Sequence, residues 1–148
     1  MKTKELLKCT DLRIGNLIDY FGDIIKVDTI DLFDGKERVG GKTKDGEQVC
    51  DKPTYFDPIE LTEELLLKIG FKKNKYDWWE YFPDRENEIS ILMTDNYTTI
   101  EYANLFHCPE DVTEVNYGST LEFPRRIYIH QLQNAYYCLT NEELEVEL

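Results

Sequence analysis

Short apolar stretches separated by tight-turn residues fill the first fifty positions. In DLRIGNLIDYFGDIIKVDTIDLF, Gly15-Asn16 and Gly22-Asp23 punctuate runs rich in Ile, Leu, Val, Tyr and Phe. This spacing predicts strands over 17–21 and 24–32 joined by a tight turn at Gly22. Asp34-Gly35 and Asp45-Gly46 are two further turn signals. Between them ERVGGKT reads as a strand with a bulge or bend at Gly40-Gly41, and GEQVC as a short strand after the second turn. Several short strands with such turns predict a small, strongly bent SH3-like barrel, with a meander as the competing arrangement. Closure into a barrel would remove exposed edges.

The pattern changes after residue 50. DKPTYFDPIE (51–60) reads as a connector, because Pro53 and Pro58 disfavour ladder pairing. A helix is predicted from Thr62. Its hydroxyl can cap free amides, Glu63 and Glu64 suit the first turn, Leu65, Leu66 and Ile69 supply an apolar face, and Gly70 stops it. YDWWEYF (76–82) is strand-like but carries large rings on both faces. EISILMT (88–94) alternates, with Ile89, Ile91 and Met93 on one side, and YTTIEYANLF (97–106) follows Asp95-Asn96 with Ile100, Tyr102 and Phe106 on one side. CPED (108–111) breaks the sheet, and VTEVNYGSTLEF reads as a fourth strand or a loop.

A last helix is predicted from about Pro124, a suitable first helical residue, to Leu139, burying Tyr128, Leu132, Ala135, Tyr136 and Leu139. Thr140 with Glu143 suggests a capping box for one more turn. The expected fold class is α+β: a small N-terminal SH3-like β-barrel or meander over 1–58, then an antiparallel sheet packed with two helices over 59–148.

Charge narrows the partners. The 148 residues carry 30 acidic and 17 basic side chains, a formal net charge of -13. Residues 1–50 are nearly neutral, with 9 basic and 10 acidic groups, whereas 51–148 hold 8 and 20. Such a surface repels free nucleic acid and anionic membrane, so the expected partner is a protein, basic in character, or a second copy of the chain. Ten Tyr, seven Phe and two Trp are too many aromatics for a disordered acidic chain.

No apolar run reaches the roughly 20 residues that span a bilayer. The start MKTKELLKCTDL lacks the apolar stretch of a secretory signal, and the expected location is cytoplasmic. Cys9, Cys50, Cys108 and Cys138 are scattered, which predicts free, mostly buried thiols rather than a zinc site.

Two groups of side chains are candidate binding residues. Trp78, Trp79 and Tyr81 are the densest aromatic group. Neighbours on a strand face opposite ways, so one Trp is expected in the core and the other against the first module or a partner. His130, Gln133, Asn134 and Tyr137 recur at helical spacing. They suit either hydrogen bonding to a ligand or buried bonds that tie the helix down. No catalytic constellation stands out. His107 and Cys108 are adjacent and point apart on a strand, carboxylate pairs such as Asp77/Glu80 and Glu86/Glu88 are expected by chance in so acidic a chain, and no phosphate-binding glycine motif occurs. The basic groups Lys72, Lys73, Lys75 and Arg125, Arg126 are small against this background. No cofactor or metal is implied.

DLRIGN (11–16), LTEELLLKIGF (61–71) and HQLQNAYYCLT (130–140) together resemble a family of small proteins of Bacteroides-type bacteria and of their phages and prophages. The family pattern runs D-L-R-I-G-N, L-T-E-x-x-L-x-x-x-G-F and H-x-L-Q-N-x-Y-x-x-L-T. It commonly places Gly after the last Thr, where this chain has Asn141. The resemblance implies an accessory protein of a phage or mobile element and brings no assigned activity. The expected function is a non-enzymatic acidic protein-interaction module acting on a host protein. A small nucleotide- or metabolite-binding protein or hydrolase with a site near the last helix, and a structural homo-oligomer, are the alternatives.

Overall fold

The computed structural model describes residues 6–84, 87–104 and 117–148. Among the described residues, two antiparallel sheets, of four and five strands, and two α-helices give a mixed α+β fold. The chain divides into two compact units. The first is Met1–Glu60 with Tyr128–Asn134, and the second is Leu61–Ile127 with Ala135–Leu148.

In the first unit β1 (Leu17–Tyr20), β2 (Asp23–Phe33), β3 (Lys36–Thr43) and β4 (Gln48–Asp51) pair in chain order. The sheet is the open meander rather than the closed barrel, since no ladder joins β1 to β4 among the described residues. The outer edge of β1 pairs instead with the connector, where Asp19 and Asp57 exchange backbone bonds of 2.9 and 2.8 Å. Phe21 and Gly22 take left-handed φ of 51° and 97° at the first hairpin, a twist that suits a two-residue turn. The irregularity expected at Gly40-Gly41 falls on the facing strand. Val27 pairs with Gly41 and Thr29 with Gly40, so Asp28 is the extra residue. Gly41 permits this close approach, because a Cβ there would overlap the Lys26 carbonyl oxygen and the Ile25 side chain. Leu12, Ile18, Ile25, Val27, Val39 and Phe56 form the core of this unit.

The second unit begins with α1 (Glu63–Ile69). The Thr62 hydroxyl accepts from the Leu65 amide at 3.2 Å, and Gly70 ends the helix at φ 116°. Its sheet runs β5 (Lys72–Lys73), β6 (Trp79–Tyr81), β7 (Asn87–Met93), β8 (Thr98–Asn104) and β9 (Tyr117–Phe123), all antiparallel in chain order. The strand expected over 76–82 shrinks to three residues. Asn74 organises the preceding turn by accepting from the Tyr76 and Trp78 amides, and Asp77 is left-handed at φ 67°. Phe106, His107 and Cys108 lie outside the described residues, as do Glu86 and the CPED break.

The last helix, α2 (Ile129–Thr140), starts five residues after Pro124. The intervening backbone is committed to extended pairing. Ile127 O accepts from Leu61 N, Tyr128 bridges to Glu60, and Ile129 N donates to Ile59 O at 2.8 Å. Arg125 and Arg126 therefore precede the helix rather than open it, and Arg126 lies 3.7 Å from Asp95. No further turn follows Thr140. Its hydroxyl donates to Tyr136 O at 2.8 Å, and Asn141 turns left-handed at φ 58°, ending the helix. The tail forms no strand, although Leu144 is buried. No helix among the described residues is long and apolar enough to cross a membrane.

Candidate functional site

The sheet of the second unit has two unlike faces, and strand register assigns each residue to one of them. Trp79 opposes Ile91, Tyr81 opposes Ile89, and Ile91 opposes Ile100. Trp79 is only 4% exposed and the three isoleucines are fully buried. Tyr81 stacks on Phe71 at 5.0 Å between ring centroids and lies 6.3 Å from Tyr136, which marks this as the face covered by the helices. Trp79 is thus a core residue, withheld from any partner.

The opposite face carries different chemistry. Leu92 opposes Thr99, which opposes Glu122, and Ser90 lies between Glu80 and Glu101. Trp78 precedes Trp79 and takes the opposite parity, on the side of Leu92. A groove of about 660 Å³ opens here, with Leu92 and Thr99 among its lining residues. Trp78 and Tyr97 bring aromatic side chains to it, Phe123 and Pro124 add to its wall at the end of β9, and Glu101 and Glu122 bring carboxylates. Thr99 is 9% exposed, and its hydroxyl has no hydrogen-bond partner among the described residues.

The electrostatics of this face are one-sided. Glu88 and Glu122 are both diagonal neighbours of Glu101, on β7 and β9, at roughly 7–8 Å by sheet geometry. Burial raises the Glu101 carboxyl above its ordinary value, and the negative charge of Glu88 raises it further. Among the described residues no salt bridge reaches Glu88, Glu101 or Glu122. Such an arrangement attracts a cation and offers aromatic surface for its stem.

The other predicted group sits elsewhere. Gln133 is buried in the first unit, where its Oε1 accepts from the Leu17 amide at 2.9 Å and its Nε2 donates to Gly15 O at 3.1 Å. Asn134 accepts from Asn16 Nδ2 at 2.9 Å and donates to Asp11 O at 3.2 Å. His130 is 3% exposed and its ring runs parallel to Tyr128 at 5.9 Å. Gln133 and Asn134 thus spend their hydrogen-bonding capacity on holding Asp11–Leu17 to the helix. Tyr137 belongs to the second unit and is half-buried.

Among the described residues no three His, Cys, Asp or Glu side chains gather as a metal set. Cys9, Cys50 and Cys138 are free thiols, but Cys50 and Cys138 are exposed rather than buried, on the polar sides of β4 and α2. Sequence reading missed Tyr97, Thr99, Glu101, Glu122 and Phe123. The alternation in YTTIEYA carried a usable signal, since it sets Thr99 and Glu101 opposite to Ile100 and Tyr102.

The chain matches no protein-family model, and no curated protein or solved structure is significantly similar to it.

Proposed function

We propose that this protein is a non-enzymatic, acidic protein-interaction module that engages a basic protein surface through the open face of its second sheet. The observation that carries this reading is the groove beside Trp78, where aromatic rings and the Glu101 and Glu122 carboxylates share one wall system with no cation against the acids among the described residues. Desolvated aromatic anchors beside uncompensated charge are what a partner of opposite sign needs for both affinity and steering. The excess of acid over base in residues 51–148 acts in the same direction. The resemblance to phage and prophage proteins supports a host-cell protein as the partner.

Affinity capture from a bacterial lysate tests this, comparing the wild type with a Glu101→Lys, Glu122→Lys double variant. The expected result is a small set of basic proteins retained by the wild type, lost from the variant and weakened by salt. Retention of nucleotide or metabolite alone, with no protein, would overturn the reading.

A further inference from the structure

We infer that the Trp78 groove is a receptor for a single lysine side chain of the partner. This inference rests on the interaction reading above for the source of the lysine. Three acceptors surround the groove's floor, namely the carboxylates of Glu101 and Glu122 and the hydroxyl of Thr99. Thr99 lies directly opposite Glu122 and two residues before Glu101 on the same strand, so sheet geometry spaces the three at roughly 5–8 Å between Cβ atoms.

A tripod of this size fits an ammonium, which radiates three donors from one compact charge. A guanidinium instead presents a flat fork that prefers both oxygens of one carboxylate. Thr99 is 9% exposed as a residue, and its hydroxyl, without a hydrogen-bond partner among the described residues, is an acceptor open to a donor that enters the groove. Trp78 and Tyr97 supply aromatic surface for the charge and for the four-carbon stem that carries it. Mutual repulsion between Glu101 and its diagonal neighbours Glu88 and Glu122 is relieved when a cation arrives.

Nuclear magnetic resonance titration of the full chain at low salt tests the assignment, with N-acetyl-lysine methylamide as probe and the norleucine and arginine analogues as comparators. The expected result is a saturable shift in the millimolar range, centred on the Trp78 indole and the amides of Thr99, Glu101 and Glu122. Norleucine leaves these signals unmoved, and arginine binds more weakly than lysine. Glu101→Gln and Glu122→Gln, near-isosteric changes on the open face, each weaken the lysine probe about fivefold or more. Trp78→Leu does the same.

Equal response to norleucine, tighter binding of arginine, unchanged affinity in both Gln variants, or no saturable shift would each overturn the assignment. If a basic protein is captured while the lysine probe fails, the lysine pocket falls and the interaction reading stands. If the probe binds and no protein is ever retained, the reverse holds.

Discussion

The side-chain amide of Asn16 donates to Oδ1 of Asn134 at 2.9 Å, joining residues 118 positions apart in the chain. Next to it, Gln133 pairs with both the Leu17 amide and the Gly15 carbonyl. Such bonds fix the start of β1 against the first turns of α2. Gln133→Leu removes the partner of the buried Leu17 amide and of the part-buried Gly15 carbonyl. We expect a loss of about 2–3 kcal/mol in chemical denaturation. A loss below about 0.5 kcal/mol would show that water replaces the amide at no cost.

Adjacent tryptophans should behave oppositely. Trp79 is buried against the helix-covered face, so Trp79→Ala should cost about 3–5 kcal/mol. Trp78 lines the open groove, and its removal should cost less than about half as much. Parallel denaturant melts of the two variants measure the difference directly, and equal losses would contradict the assignment of faces.

Thr98 is fully buried, and its hydroxyl lacks a partner among the described residues. Thr98→Val keeps the shape and deletes the orphaned oxygen. A gain of about 1 kcal/mol is expected in the same assay. A loss of similar size would reveal a bond that the hydroxyl makes in solution.

Glu101 gives a pH signature. Its folded carboxyl lies above the ordinary value, from burial first and from Glu88 second. Its protonated form therefore stabilises the fold. That contribution is complete below the unfolded value and disappears as pH rises through the folded one. Glu101→Gln should raise the thermal midpoint near neutral pH relative to wild type, with the gap closing toward about pH 3, below the usual range of the acid. A variant less stable than wild type at neutral pH would mean that a cation already compensates this carboxylate.

Tyr136 should be the late tyrosine. Burial is the main cause, followed by Tyr81, Glu142 and Asp84, and together they push its hydroxyl up to about 12. Stability tied to this group is intact below the unfolded value of about 10 and falls as pH rises through the folded one. Ultraviolet difference titration should show a tyrosine that ionises only as the fold is lost, and Tyr136→Phe should delete that step. Ionisation of all tyrosines together near pH 10 would rule it out.

Local chemistry made much of the fold readable. The Gly22 hairpin, the Thr62 cap, the Gly70 stop and the alternation of Ile89, Ile91 and Ile100 are each decided within a few residues. What escaped was decided at a distance. Pro124 suits a helix start, yet pairing of 127–129 with 59–61 delays α2 to Ile129. Gly40-Gly41 signalled a bulge whose extra residue, Asp28, sits on the strand across from it. The groove escaped for the same reason. Thr99, Glu101 and Glu122 become neighbours of Trp78 only through register across four strands, and the side chains of Gln133 and Asn134 are spent internally because residues 11–17 come back to meet them.

Division of α2 between the two units has a consequence for biosynthesis. The first sheet leaves the ribosome well before the segment 128–134 that completes its unit. At about 5–20 residues per second, the ribosome needs roughly 3–14 s to add the stretch from Glu60 to Tyr128. Throughout that interval the backbone groups of Gly15 and Leu17 await their glutamine, so the first unit stays incomplete until the later segment arrives.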